Sequence, residues 1–497
     1  MKLKFVALCM LITIAGLHAQ APVAKKYGDM ITPADLKEYL SIIASDAFEG
    51  RETGKRGQKI AAAFISTHFQ ELGLIPPVNG NFYQPVPLYT SIPGDIYVIV
   101  GNAKLNNFGD VVYYGTGNSG GELSCPVVFV GKGRKEDFDQ VTVTGKAVVV
   151  EVESFSGFHE PLELAYQRGA NTVLVFNPDV NQFHELVEQL KTYTSEGTLS
   201  LTKPSPSTQH SGVFFIAPMV AEKIFNSTLE KLKKAALEDT KKSALKKFKP
   251  GSLRYQINLE TKAVNSENVL GYLEGTDKKD ELVLVTAHYD HIGKGKNEGD
   301  QINNGADDDG SGTVSVLEIA KVFAQAKKDG VGPRRSMLFM TVTGEEKGLL
   351  GSDYYTQHPI FPLAKTVVDL NIDMVGRRDP QHKDSPPYVY VIGSDKLSTD
   401  LHNLSERINK ESTNLIFDYT YNDQNHPDRL YYRSDHWNFA KNNIPIIFYF
   451  DGIHEDYHKP SDEVSKIEFD LLAKRAQCVF YTAWEIANRD QRILPDK

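Results

Sequence analysis

The sequence predicts an α/β protein, a mixed sheet flanked by helices and interrupted by a second, β-rich unit. Three observations carry this. From about residue 255 onward, apolar runs of strand length alternate with helical periods, the pattern of a largely parallel or mixed sheet covered by helices. Residues 108–250 instead hold short β-rich runs with almost no clustered His, Asp or Glu. And 497 residues exceed one ordinary core, so two or more domains are expected.

The elements follow in order. Lys2 and Lys4 precede an apolar run over residues 5–17 and the small residues Ala19-Gln20-Ala21. That is the pattern of a signal peptide, here residues 1–21, and the run is too short to span a bilayer. A secreted or periplasmic location is therefore expected. Cys9 lies inside the apolar run rather than after it, which argues against a lipid anchor. No later segment is long and apolar enough to cross a membrane. Thr32-Pro33 reads as an N-cap and first-turn proline, followed by Leu36, Tyr39, Leu40 and Ile43 at helical spacing. A second helix is expected from about Gly57 to Leu72, ended by Gly73. Between them, Phe48-Glu49-Gly50-Arg51 and Thr53-Gly54 read as a polar, glycine-rich link. The prolines and glycines of residues 76–100 mark a boundary or irregular strands.

Next come strands at 126–130, 147–152 and 172–176, with a helix around 162–168 ended by Gly169. The lysine-rich stretch 231–248 reads as a solvated helix face or linker. In the last part, strands are expected at 282–285, 337–342, 367–372, 388–392 and 444–450, with helical periods such as 313–327 between them. The composition, 41% hydrophobic and 24% charged, is that of a soluble globular protein, and a net charge of −9 argues against a nucleic-acid partner. Cys125 and Cys478 are far apart and fall in different expected domains, so two buried free thiols are expected rather than a disulfide.

In open α/β sheets, sites form at the carboxyl ends of strands. That is where His288 in AHYDH, Asp308 in NNGADDDGSG, Glu345-Glu346 in TGEEKG, Asp373 in NIDMVG and His458 in DYHKPSDE fall. Taken singly, each has an ordinary structural explanation. Asp309 or Ser311 can cap a helix, and His454 competes with His458. Three consecutive aspartates are more than a cap needs, and closely spaced carboxylates repel unless a cation neutralises them. Asp290, two residues after His288, is placed to orient its imidazole by accepting the other ring N–H. Two histidines and three of the four carboxylates can hold two divalent metals and leave the fourth as a base, which points to metal-assisted hydrolysis.

These segments, with SDHWNF, follow the order of the M28 family of zinc metallopeptidases, whose aminopeptidase group the chain resembles. GKAVVVEV and AYQRGANTVLVFN resemble the protease-associated domain often inserted in these enzymes, and FEGRETGKRG resembles the family's N-terminal part. The resemblance implies a zinc-exopeptidase fold of phosphorylase/hydrolase type. It implies residues 22–105 and 251–497 as the catalytic domain and 106–250 as the insert. It implies two zinc ions: His288 and Asp373 on one, Glu346 and His458 on the other, and Asp308 bridging both. Asp308 is the middle acid of the family's turn, and His458 stands in the family's YHKPSDE context. Glu345 would be the general base, Asp290 would orient His288, and Tyr457 would help stabilise an oxyanion. Ser434-Asp435-His436 matches a motif near the site. The expected substrate is a peptide. A carboxypeptidase or dipeptidase, a one-zinc glutaminyl cyclase and a receptor-like binding protein are the alternatives on this scaffold.

Overall fold

The computed structural model describes residues 22–194, 197–203, 212–237, 244–248, 251–295, 299–423 and 425–497. The expected signal peptide lies outside them. The chain forms two compact units, one of Met1–Pro87 with Asn265–Lys497 and one of Leu88–Val264.

The first unit is built on strands β1 (Tyr83–Pro93, its far end in the second unit), β2 (Leu259–Leu273, its start in the second unit), β3 (Lys278–His288), β4 (Arg335–Val342), β5 (Thr366–Ile372), β6 (Tyr388–Ile392), β7 (Ile416–Asp418) and β8 (Ile446–Phe450). Their order is β7-β6-β8-β5-β3-β4-β2-β1. The centre, β8-β5-β3-β4, is parallel, while β2 and β6 pair antiparallel with β4 and β8. Strands β4, β5, β6 and β8 are buried along their whole length. Such strands read as continuous apolar runs because both faces are covered.

Alternation along the strands feeds two cores. Val283, Val285, Met337 and Phe339 face the larger, and Leu282, Leu284, Leu338 and Met340 the smaller. The helices are α1 (Pro33–Ile43), α2 (Arg56–Leu72), α3 (Gly312–Lys328), α4 (Leu350–Gln357), α5 (Thr399–Glu411), α6 (His436–Ala440) and α7 (Phe469–Asn488). Residues of α1, α2, α3 and α7 fill the larger core, and Tyr355 of α4 and Phe439 of α6 join the smaller. Local signals set the helix ends. Thr32 Oγ1 accepts from Asp35 N (3.2 Å), and Gly73 closes α2 at φ +77°.

The second unit is likewise α/β. Leu123–Phe129, Ala147–Glu151, Thr172–Phe176 and Gly212–Ile216 run parallel at its centre. Its boundaries lie outside the expected 106–250. Tyr97–Val100, Ala103–Asn106 and Gly251–Gln256 pair into its sheet, which the prolines and short runs of 76–100 did not disclose. Cys125 and Cys478 are buried, unpaired and in different units.

Candidate metal centre

The candidate residues gather where β3, β4, β5 and β8 end. His288 is the last residue of β3, Asp373 follows β5, and Glu345 and Glu346 follow β4 across Gly344. Asp308 lies in the turn before α3. That turn explains the run of three acids. Asp309 faces the backbone: its Oδ1 accepts from Gly312 N (2.9 Å) and Met374 N (3.1 Å), and its Oδ2 from His288 N (3.2 Å). Asp307 Oδ1 accepts from Gly376 N (2.6 Å), and its Oδ2 lies 3.2 Å from His454 Nε2. The middle acid alone is left to face the cluster. Glycine at 312 is required, because a Cβ there would sit 2.3 Å from Asp309 Oδ1 and 2.5 Å from Ile372 O.

Asp308 divides its two oxygens. Oδ1 lies 3.3 Å from His288 Nε2, which is also 3.5 Å from Asp373 Oδ1. Oδ2 lies 3.1 Å from His458 Nε2, which is 3.0 Å from Glu346 Oε2. Among the described residues, the donor atoms of His288, Asp308 and Asp373 lie within 4.8 Å of one another, and so do those of His291, Asp308 and Glu346. Glu345 belongs to neither group, and its Oε2 is 3.9 Å from His288 Nε2. Tyr457 stacks on His458 with ring centroids 3.9 Å apart. Of the two late histidines, His458 is thus in the cluster, and buried His454 is held by Asp307.

Asp290 orients His288, but through a different atom from the one expected. Its main-chain carbonyl lies 3.0 Å from His288 Nδ1, while its carboxylate Oδ1 is 3.9 Å away. The carboxylate is engaged by Thr53 Oγ1 (2.6 Å) and Glu345 N (3.2 Å). A carbonyl only accepts, so Nδ1 carries a proton and Nε2 faces Asp308 and Asp373. Ser434 Oγ donates to Asp373 Oδ2 (2.7 Å), giving the SDHWNF segment a contact at the site. His436 lies aside, bonded to Tyr431 O (2.8 Å), and burial takes it down to about 3.

Electrostatics fit a cation-binding role. Burial works against the charge of His458, yet Asp308 and Glu346 outweigh it and push the imidazole up to about 10. Burial and Asp308 work to raise Glu346, but His291 and His458 hold it at about 2. Asp308 is held well below the carboxylate range, against its burial, by His288 and His458. Glu345 goes the other way: burial, with Asp373 and Glu346 nearby, raises it well above an ordinary glutamate against the pull of His288. The acids of the cluster thus favour the charged forms of His288 and His458. Buried His288 Nε2 and Asp308 Oδ2 face this space with no hydrogen-bond partner. These are donors that a divalent metal would use, and the residues present fit such ions.

Two contributors were not legible as such. Arg51, fully buried, donates Nε to Tyr289 O (2.9 Å), Nη1 to Ile43 O (3.0 Å) and Asn304 O (2.6 Å), and Nη2 to Gly305 O (2.8 Å). Its acceptors are carbonyls, so nothing in the glycine-rich link signals a role at the site. His291 stands in AHYDH beside His288, and only its spacing from Asp290 hinted at a second imidazole there.

Residues 268–483 match the family model of Peptidase family M28. The chain is 27% identical over 237 residues to the aminopeptidase YwaD of Bacillus subtilis, a match covering 46% of this chain and 46% of that protein. It is 28% identical over 215 residues to a probable leucine aminopeptidase of Arthroderma benhamiae, covering 42% of this chain and 55% of that one. It thus spans about half the length of these curated relatives. A solved aminopeptidase from Aneurinibacillus sp. strain AM-1 shares the fold at a TM-score of 0.58 and 17% identity, over 95% of this chain and 98% of that one.

Replacing Arg51 by Met should strip several buried carbonyls of their donor. At about 1–3 kcal/mol for each unsatisfied group, the loss should reach about 3 kcal/mol or more. Chemical denaturation of the full chain reads it from the midpoint at constant slope. A loss under about 1 kcal/mol would show that the carbonyls find other donors.

Proposed function

We propose that this chain, whose residues 268–483 match the model of peptidase family M28, is an exported zinc aminopeptidase acting on peptides. The observation that carries the reading is Asp308, with one oxygen toward His288 and Asp373 and the other toward His458 and Glu346. His288, Asp373 and Asp308 would hold one zinc ion, and Glu346, His458 and Asp308 the other. Zinc in such a site supplies Lewis acidity, polarising a carbonyl and lowering the pKa of a water toward about 7.

The chain's own groups do the proton work. Glu345, outside both ligand groups and 3.9 Å from His288 Nε2, takes the proton of the attacking water and delivers it to the leaving amine. Tyr457 keeps its phenolic proton, because burial and the neighbouring acids raise it, and so can donate to the oxyanion. Tyr457 also packs against an apolar cluster that includes Met374, Leu430 and Phe450. A relative from Arthroderma benhamiae is described as a probable leucine aminopeptidase, which makes leucyl amides the substrates to try first. The unit Leu88–Val264 is read as the protease-associated insert, and residues 1–21 as the export signal. Among the described residues no helix is long and apolar enough to cross a membrane.

Three outcomes are expected. Glu345→Gln should lower kcat by about 10²–10⁴-fold while the protein still takes up zinc, measured by elemental analysis beside the kinetics. Retained turnover would remove Glu345 as the base. Leucyl chromogenic amides should be cleaved, and their N-acetyl forms should not; equal cleavage of both would rule out aminopeptidase action. Metal-free His458 is protonated below about pH 10, and a ligand histidine must be neutral, so zinc uptake at pH 7 should expel at least one proton. Affinity should therefore climb with pH and level off above about 10. Calorimetry in buffers of different ionisation enthalpy measures this release, and uptake with none contradicts it.

A further inference from the structure

His291 is fully buried and its donor atom falls in the second group with Asp308 and Glu346, yet it has no part in the chemistry above. Its Nδ1 lies 2.8 Å from Glu346 Oε1. Its Nε2 is buried and makes no hydrogen bond, so the ring's one hydrogen bond among the described residues is to Glu346. The ring is pinned from behind: a Cβ at Gly305 would sit 2.6 Å from His291 Cγ and Cδ2. Glu346 uses its oxygens separately. Oε2 lies 3.0 Å from His458 Nε2, beside Asp308, while Oε1 is turned to His291.

His291 lies close enough to share an ion with Asp308 and Glu346, but its hydrogen bond to Glu346 makes it a donor rather than a ligand. Its Nδ1 is 3.8 Å from Asp308 Oδ2, whereas His458 Nε2 reaches the same oxygen at 3.1 Å. An ionised carboxylate only accepts, so a nitrogen bonded to Oε1 spends its proton there and has no lone pair to offer. Ser434 does the same for Asp373, holding Oδ2 and leaving Oδ1 toward His288.

We infer that His291 is a positioning residue that holds Glu346 by Oε1 and presents Oε2 to the second metal. The inference rests on the two-metal reading above. Partners of this kind change metal affinity by about 10–100-fold.

Calorimetric zinc titration of the full chain tests it. In His291→Phe the second ion should bind about 10–100-fold more weakly, with the first unchanged as the sign of an intact fold. In His291→Asn, whose side-chain N–H lies near the place of Nδ1–H, the second ion should bind within about threefold of wild type. With cobalt(II) in place of zinc, the visible band of the second ion should keep its intensity in His291→Asn. Wild-type affinity for both ions in His291→Phe would overturn the role. Equal loss in both variants, with an altered cobalt band in His291→Asn, would make His291 a ligand instead. A wild-type chain that takes up fewer than two ions would overturn the two-metal reading itself, and this inference with it.

Discussion

Buried carboxylates gathered at one sheet edge are the constraint on which the rest of this structure depends. Asp290, Asp307, Asp308, Asp309, Glu345, Glu346 and Asp373 all come together at the ends of β3, β4 and β5, almost wholly removed from water. Such a set repels itself unless cations or donors compensate it. The chain supplies three kinds of compensation. Arg51 is a permanent buried charge, pressed down by desolvation and held up by Asp308, Asp462, Asp309 and Asp290. His288 and His458 are imidazoles whose charged forms the neighbouring acids favour. Backbone N–H groups and hydroxyls neutralise the remaining acids.

The division of labour inside the aspartate run follows from this. Consecutive residues point in different directions, so Asp307 and Asp309 reach the backbone on either side while Asp308 faces the histidines. The acids tied to backbone act as braces. They bind the turn to β3, to α3 and to the segment after β5. Thr53 and Arg51 extend the same brace to the N-terminal segment, which explains why a glycine-rich link near residue 50 is part of the centre.

Much of the fold was legible because the central strands are buried on both faces, and their apolar runs stand out from the helical periods around them. The run 388–392 is a strand from end to end, and α1, α2 and α3 lie within a residue or two of their caps and glycines. The outer strands were harder. Tyr83–Pro93 contains three prolines, and Leu259–Leu273 is largely exposed over its first half and continuously buried only at residues 268–271. Both spread between two units, which pulled the expected boundaries inward. The second unit read as β-rich because its strands are strongly apolar and its helices are short or polar.

At the site, sequence by itself determined which chemical groups sit at strand ends, and so the kind of chemistry: acids and histidines after parallel strands, too many to remain without cations. Covalent order carries that much because a strand delivers its last residue to a known edge of the sheet. Only the tertiary structure decided the pairings. That Asp308 splits its oxygens between two groups, that Asp290 reaches His288 by its carbonyl, and that Arg51 and His291 serve the centre all depend on atoms brought together from separate stretches of chain, from residues 253 and 254 apart in the case of Arg51. Hydrogen bonds and charge pairs act over a few ångströms, and sequence spacing holds no record of which loops fold to within that distance.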